Sequence, residues 1–115
     1  MHHFTRIQLV LATLEDAVND APKAPEFMGR LLANMIWENL IPLKEIGKFI
    51  QEGGEEAGSL LEVGLAADVL GNVLEAVQLE KGQIFVNEIL QSSNLQLESF
   101  RPSYPIKSTK LEKFI

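Results

Sequence analysis

Apolar residues recur at intervals of three and four along most of this chain, the spacing that places them on one face of an α-helix. The first stripe predicts a helix over residues 4–18, which Pro22 and Pro25 separate from a second helix. Pro42 opens a short third helix, and Gly82 ends a long fourth helix before a fifth begins. No segment alternates apolar and polar residues over a useful length, so the predicted fold class is all-α, with successive antiparallel helical hairpins. The pattern leaves open whether these hairpins form a bundle or a fragment of a solenoid.

Two of these helices carry features that predict close packing. The apolar stripe of the second helix is broad enough to be buried on two sides; it comprises Phe27, Met28, Leu31, Leu32, Met35 and Ile36. The fourth helix is predicted to run from a capping box at Ser59 and Glu62 to about Glu80. Gly64 and Gly71 share one face of it, and each costs ~1 kcal/mol against Ala in a helix interior. We therefore expect another helix to approach closely at these glycines.

Several polar and aromatic positions in the helices admit more than one interpretation. Asp68, Asn72 and Glu75 lie at helical spacing and are predicted to form the wetted face of the fourth helix. Trp37 is predicted to lie in the core or at a helix–helix contact, with an interface anchor as the alternative.

Length and composition fit a single globular domain over residues 1–115. The chain is 46% hydrophobic and 23% charged, which is ordinary for a folded domain. No apolar run approaches the ~20 residues that cross a bilayer, so no membrane contact is predicted. The first residues do not resemble a secretory signal. There is no cysteine, which excludes disulfides and thiolate chemistry.

Charge is distributed unevenly along the chain. Residues 1–100 carry 6 basic and 15 acidic side chains, whereas residues 101–115 carry 4 basic and 1 acidic. The acidic body should repel phosphate, so direct RNA binding is disfavoured. We interpret the basic tail from Arg101 to Lys113 as a solvated terminus or as a segment that folds back on the acidic body, with weak RNA contact as the remaining alternative.

The residues that catalysis usually needs are missing. His2 and His3 are the only histidines and are adjacent at the terminus, so neither a metal site nor a Ser-His-Asp arrangement is predicted. The segment EGGEEAGS lacks the Gly-Lys-Ser/Thr ending of a phosphate-binding loop, and its glutamates would repel phosphate. We predict no enzyme activity, no metal and no cofactor.

A cluster of carboxylates marks the end of the first helix. Glu15, Asp16 and Asp20 lie near its carbonyl end, where negative charge opposes the helix macrodipole. Asp16 and Asp20 are also four residues apart, so a helical turn would stack like charges at a cost of ~0.2–0.5 kcal/mol. If they face solvent, they are suited to a cationic partner. The alternative for Asp20 is that it caps the following helix.

Three segments resemble a known family. They are LATLEDAVNDAPKAPEFMGRLLANMI, IQEGGEEAGSLLEVGLAADVLGNVLEAV and SNLQLESFRPSYPIKSTKLEKFI, and together they cover nearly all of residues 4–115. They resemble the C-terminal region of plant-type eukaryotic translation initiation factor 4G, an MA-3 domain. The resemblance implies a HEAT-like stack of antiparallel helix pairs. It also implies a cytoplasmic role as a non-catalytic scaffold in translation initiation.

The resemblance further implies a partner. MA-3 domains of this group, and those of programmed cell death protein 4, contact the DEAD-box helicase initiation factor 4A. In the latter protein the contact uses the Asp of an Asp-x-Pro turn and an acidic residue four positions earlier. Those positions match Asp20 and Asp16 here, with Asp20-Ala21-Pro22 as the turn. The expected binding residues are therefore Asp16 and Asp20, with Glu15 assisting.

The family domain has further helix pairs ahead of the point where this chain starts. A solenoid repeat buries its face against its neighbour, so the first helix is expected to keep an apolar edge. The alternative function is thus a truncated isoform or fragment that forms a homodimer, or binds another protein, through this edge.

Overall fold

The computed structural model describes residues 23–38, 40–52 and 64–100, together with Leu111 and Phe114. Four α-helices follow one another in these ranges: α1 (Ala24–Trp37), α2 (Leu43–Glu52), α3 (Leu65–Lys81) and α4 (Gln83–Ser93). A 3₁₀ turn at Leu97–Phe100 follows them. No strand occurs in the described ranges, and the helices form a compact stack, so the predicted all-α class is confirmed. The predicted first helix and the capping box at Ser59 and Glu62 lie outside the described residues.

Proline and glycine set the helix ends where the sequence predicted them. Pro25 occupies the first turn of α1, where its missing N–H leaves no helical bond unmade. Pro42 precedes α2 and its carbonyl accepts a hydrogen bond from the Ile46 N–H at 3.2 Å. Gly82 ends α3 with a φ of 91°, and its N–H donates to the Gln78 carbonyl at 2.8 Å. The same residue starts α4, because its carbonyl accepts from the Val86 N–H.

The start of α3 differs from the prediction. Gly64 has a φ of 85°, a left-handed conformation that glycine adopts without steric cost, and the helix begins only at Leu65. One continuous helix from Ser59 is therefore wrong, and so is a helix-interior role for Gly64. Glycine as a residue type is compatible with either conformation, so the sequence alone did not decide between them.

The core is centred on α3, which is buried on most of its circumference. The other helices contribute one face each, and α1 packs along α3 more extensively than any other pair of elements. The largest fully buried side chains are Leu32, Ile41, Ile46, Ile50, Val69, Leu70, Leu74, Phe100 and Leu111. Trp37 is half-buried and packs against this core, which confirms its predicted place at a helix contact.

The apolar stripe of α1 is buried on one side only. Met28, Leu32 and Ile36 face the core, whereas Phe27 and Leu31 remain 59% and 46% exposed. The prediction that the whole stripe is buried on two sides is therefore wrong. Residues spaced by four form the buried row, and Phe27 and Leu31 lie about 100° around the helix from it.

Gly29 on α1 permits a close contact between α1 and α3. A Cβ added to Gly29 would lie 2.9 Å from the Asn72 carbonyl carbon and 3.0 Å from the Val73 nitrogen. Only a residue without a side chain lets the two backbones meet there. The close approach expected at Gly71 itself stays a prediction.

The chain also returns to the core near its C-terminus. Leu111 is fully buried within the hydrophobic core, and Phe114 packs against it half-buried. Of the alternatives for the basic tail, a segment that folds back on the body is thus supported at these two residues.

Candidate functional site

The carboxylates nominated by the sequence, Glu15, Asp16 and Asp20, lie outside the described residues. Their exposure and their partners therefore stay predictions. The structure neither brings them together nor separates them, and the capping alternative for Asp20 is likewise untested.

The described residues do form a groove, between α1 and α3. Its volume is about 310 Å³. Side chains at helical spacing from both helices line it: Glu26, Arg30, Asn34 and Trp37 on α1, and Asn72, Glu75, Ala76, Leu79 and Glu80 on α3. Each set forms a row along one face of its helix, because residues three and four apart share a face.

Asn72 connects this groove with the helix contact. Its backbone meets α1 at Gly29, and its side chain is among those that line the groove. The side-chain amide donates a hydrogen bond to the Asp68 carbonyl at 2.8 Å. This hydrogen bond allows a polar side chain to be almost fully buried. A buried donor that has an acceptor avoids the desolvation cost of a buried donor without one.

The predicted wetted face of the long helix is therefore wrong at Asn72. That residue is only 6% exposed, and Asp68 and Glu75 are each half-buried. All three take part in interactions rather than facing bulk water alone. Helical spacing correctly placed the three residues on one face of the helix. Their polarity suggested full exposure, but α1 covers part of that face and buries Asn72.

The charge of the groove is mainly negative. Among the described residues that line it, three are glutamates (Glu26, Glu75 and Glu80) and one, Arg30, is basic. Arg30 Nη2 lies 3.0 Å from Glu26 Oε1, an i,i+4 pair in which the arginine is 64% exposed. Such an exposed pair contributes about 0.3–0.5 kcal/mol. It partly neutralises the charge that α1 contributes to the groove.

Apolar side chains complete the groove at one end. Trp37 is half-buried there, and Leu79 is 81% exposed. A groove that combines carboxylates, amides, an indole and an aliphatic side chain can bind a ligand. Its nine lining residues include no histidine, cysteine, serine or lysine, so they provide no nucleophile with a neighbouring base.

Sequence reasoning missed this groove, although one signal was available. Glu80 lies in the last turn of α3, just before Gly82, where a carboxylate opposes the helix macrodipole. The same argument had nominated the carboxylates at the end of the first predicted helix.

The described ranges contain neither a cluster of metal ligands nor a membrane-spanning helix. No three side chains among His, Cys, Asp and Glu come together there in a way that could hold a metal ion. None of the helices described above is long and apolar enough to cross a membrane.

Comparison with known proteins shows strong similarity to one plant protein. The chain is 56% identical over 105 residues to eukaryotic translation initiation factor 4G of Arabidopsis thaliana, which covers 91% of the chain and 6% of the relative. It is 49% identical over 114 residues to the same factor of Oryza sativa subsp. japonica, covering 99% of the chain and 6% of that relative. For Triticum aestivum the identity is 53% over 106 residues, with 92% of the chain and 7% of the relative covered.

The chain is therefore homologous to a short segment of these initiation factors, about 6–7% of their length. No family model matches the chain, and no solved structure matches it. The similarity confirms the resemblance to plant initiation factor 4G, while the MA-3 assignment stays a prediction.

Proposed function

We propose that this chain is a non-catalytic protein-binding module of a translation initiation scaffold, with the fold of the C-terminal part of an MA-3 domain. The observation that carries the proposal is the 56% identity to eukaryotic translation initiation factor 4G, which extends over 91% of the chain. The all-helical stack is compatible with such a module. The place of action under this proposal is the cytoplasm, where initiation takes place.

The proposed partner is the DEAD-box helicase initiation factor 4A. Asp16 and Asp20, with Glu15 beside them, are proposed to meet arginine or lysine side chains on the helicase. What supports these residues is their match to the Asp-x-Pro pattern of the family and their unfavourable position at the carbonyl end of a predicted helix. Charge pairs of this kind steer encounter and specificity more than they raise affinity.

The test is binding of purified initiation factor 4A to the chain carrying Asp16→Lys with Asp20→Lys. Each exposed charge pair contributes ~0.2–1 kcal/mol, and reversal adds repulsion, so we expect binding to weaken about tenfold or more. Isothermal titration calorimetry at two salt concentrations measures this loss, and the wild-type affinity should fall as salt rises. Circular dichroism should show unchanged helix content.

The matched control is Glu88→Lys with Glu98→Lys. Both residues are exposed, and this double change also moves the formal net charge from −6 to −2. Binding within twofold of wild type is expected for the control. Equal weakening by both double variants, or undiminished binding by the Asp16 and Asp20 variant, contradicts the proposed contact.

Self-association through the first helix is the competing proposal. It concerns residues outside the described ranges. Sedimentation of the chain alone, run before the helicase is added, separates the two: a monomer that binds the helicase removes the homodimer.

A further inference from the structure

Two large apolar side chains remain exposed on α1, on the side of the helix that faces away from the core. Phe27 and Leu31 are 59% and 46% exposed, whereas Met28 and Leu32, one position further along, are buried. Side chains four residues apart are neighbours on a helix surface, so Phe27 and Leu31 form one continuous apolar patch. The charges around this patch decide what can cover it.

Opposite charges lie at the two ends of the patch. Lys23 comes directly before the first residue of α1 and Glu38 directly after the last, and both side chains are exposed. Steps of four and three residues lead from Lys23 through Phe27, Leu31 and Asn34 to Glu38, so the five positions share one sector of ~80° around the helix. Neither charged side chain is in an ion pair with another residue of the described ranges.

Both of these charges oppose the macrodipole of α1. The amino end of a helix favours negative charge and the carbonyl end favours positive charge, whereas Lys23 and Glu38 have the reverse signs. Lys23 occupies the N-cap position, where it makes no side-chain hydrogen bond to the helix. The stability of α1 therefore accounts for neither charge. A partner that presents the opposite charge at each end of the patch would compensate both.

A second α1 helix that runs in the opposite direction has this order of charges. In a two-fold symmetric contact, if Lys23 of one copy meets Glu38 of the other, then symmetry forms the same pair again at the other end. The antiparallel direction also sets the amino end of each helix beside the carbonyl end of its neighbour. Each charge then lies near the helix end that favours it.

We propose that the Phe27–Leu31 face of α1 binds the same face of a second copy of this chain, with the two α1 helices antiparallel. The midpoint between Lys23 and Glu38 lies next to Leu31. The Leu31 side chains of the two copies therefore meet at the two-fold axis, and each Phe27 packs beside the Leu31 of the other copy.

The length of α1 limits the strength of this contact. Lys23 and Glu38 are fifteen residues apart, which at 1.5 Å per residue gives a seam of about 22 Å. A single helix pair of this length buries less than a standard interface, so we expect a Kd on the order of 100 μM. The surface is separate from the proposed helicase contact and from the edge of the first predicted helix, so each of the three can fail without the others.

Charge reversal at the ends of α1 tests the pairing. Lys23→Glu places like charges together at both ends of the seam, so the dimer Kd should rise about fivefold or more. Adding Glu38→Lys to the same chain restores both pairs in reverse order and returns the formal net charge to −6. Its Kd should lie within about twofold of wild type. Sedimentation equilibrium measures each Kd, and circular dichroism should show both variants folded because the new charges suit the macrodipole.

The matched control is Lys48→Glu. Lys48 is exposed and belongs to α2, which packs mainly on α3 and α4. The control moves the formal net charge from −6 to −8, as Lys23→Glu does. Because only the position of the charge differs, a Kd within about twofold of wild type is expected.

A single introduced thiol reports the direction of the helices, because the chain contains no cysteine. Leu31→Cys places two thiols together at the two-fold axis, where the Cα separation suits the ~4.4–6.8 Å that a disulfide spans. Leu40→Cys is the comparison, since Leu40 is 53% exposed and lies nine residues further along. Antiparallel copies hold its thiols roughly 25–30 Å apart, whereas parallel copies would bring them together. After mild oxidation, the interchain disulfide should be about tenfold more abundant for Leu31→Cys than for Leu40→Cys.

Several results would overturn the proposal. A chain that stays monomeric at about 1 mM would show that the patch is covered within one copy or is left for a different protein. Equal weakening by Lys23→Glu and Lys48→Glu, or no recovery on adding Glu38→Lys, would remove the charge pairing. A dimer that Lys23→Glu leaves intact uses another surface, such as the first predicted helix. Equal disulfide formation at positions 31 and 40 would contradict the antiparallel direction.

Discussion

Replacement of Gly29 by alanine is the sharpest test of how α1 packs on α3. The new Cβ would lie 2.9 Å from the Asn72 carbonyl carbon and 3.0 Å from the Val73 nitrogen, and closer still to Asn72 Cβ. Two of these three atoms belong to the backbone of a buried helix and cannot turn away as a side chain does. The helices must therefore separate, and overpacking of this kind costs about 1–3 kcal/mol.

Alanine also stabilises a helix interior, which works in the opposite direction. The gain over glycine is about 1 kcal/mol. Because the contact is with backbone, we take the upper part of the overpacking range and expect a net loss of about 1–2 kcal/mol of unfolding free energy. For a domain of this size that lowers the Tm by about 4–8 °C. Thermal unfolding followed by circular dichroism measures it.

Gly47→Ala is the matched control. Gly47 is also a buried glycine inside a helix, but a Cβ there would meet the Leu95 methyl groups at 3.0 Å and Phe100 Cζ at 3.3 Å. Ends of side chains can shift, so the helix gain of about 1 kcal/mol should offset the crowding and leave the Tm within about 2 °C. If Gly29→Ala matches or exceeds the control in stability, the helices do not approach as closely as described.

Two further substitutions test the core and a turn. Leu111→Ala should lower the free energy of unfolding by about 2–5 kcal/mol, because it removes a fully buried side chain. Leu79→Ala should change it by no more than about 0.5 kcal/mol, since that leucine is 81% exposed. Urea unfolding compares the two variants, and equal losses would show that the chain does not return to the core at Leu111. Gly82→Ala should cost about 1–3 kcal/mol although nothing lies within 4 Å of the new Cβ, because its φ of 91° and ψ of 168° suit glycine alone. An unchanged unfolding midpoint for Gly82→Ala would contradict that backbone conformation.

Helix ends were predictable from sequence wherever the chemistry of one residue decides them. Pro42 has no backbone N–H to donate within a helix, and Gly82 comes a few residues after the apolar stripe of the fourth helix ends. Both therefore mark helix boundaries without knowledge of the fold. Gly64 and Gly29 show the limit of this reasoning. A glycine permits a left-handed turn and a close helix contact equally, and the residues that Gly29 contacts on α3 are distant from it in sequence.

The groove was unpredictable for a related reason. Its walls come from α1 and α3, whose lining residues are separated by at least 35 positions, from Trp37 to Asn72. The helical period gives the face on which each residue lies, but not the register in which two faces meet. Asn72 adds a second difficulty, since its bond to the Asp68 carbonyl satisfies its amide locally and lets a polar side chain be buried.

The charges that line the groove differ in how well they suit the helices that carry them. Glu26 lies in the first turn of α1, where a carboxylate is favourable, and it pairs with Arg30 one turn later. Glu80 lies in the last turn of α3, where the macrodipole disfavours it and only the adjacent Lys81 has the favourable sign. The stability of α1 thus accounts for the charges that it places in the groove, whereas the stability of α3 does not account for Glu80.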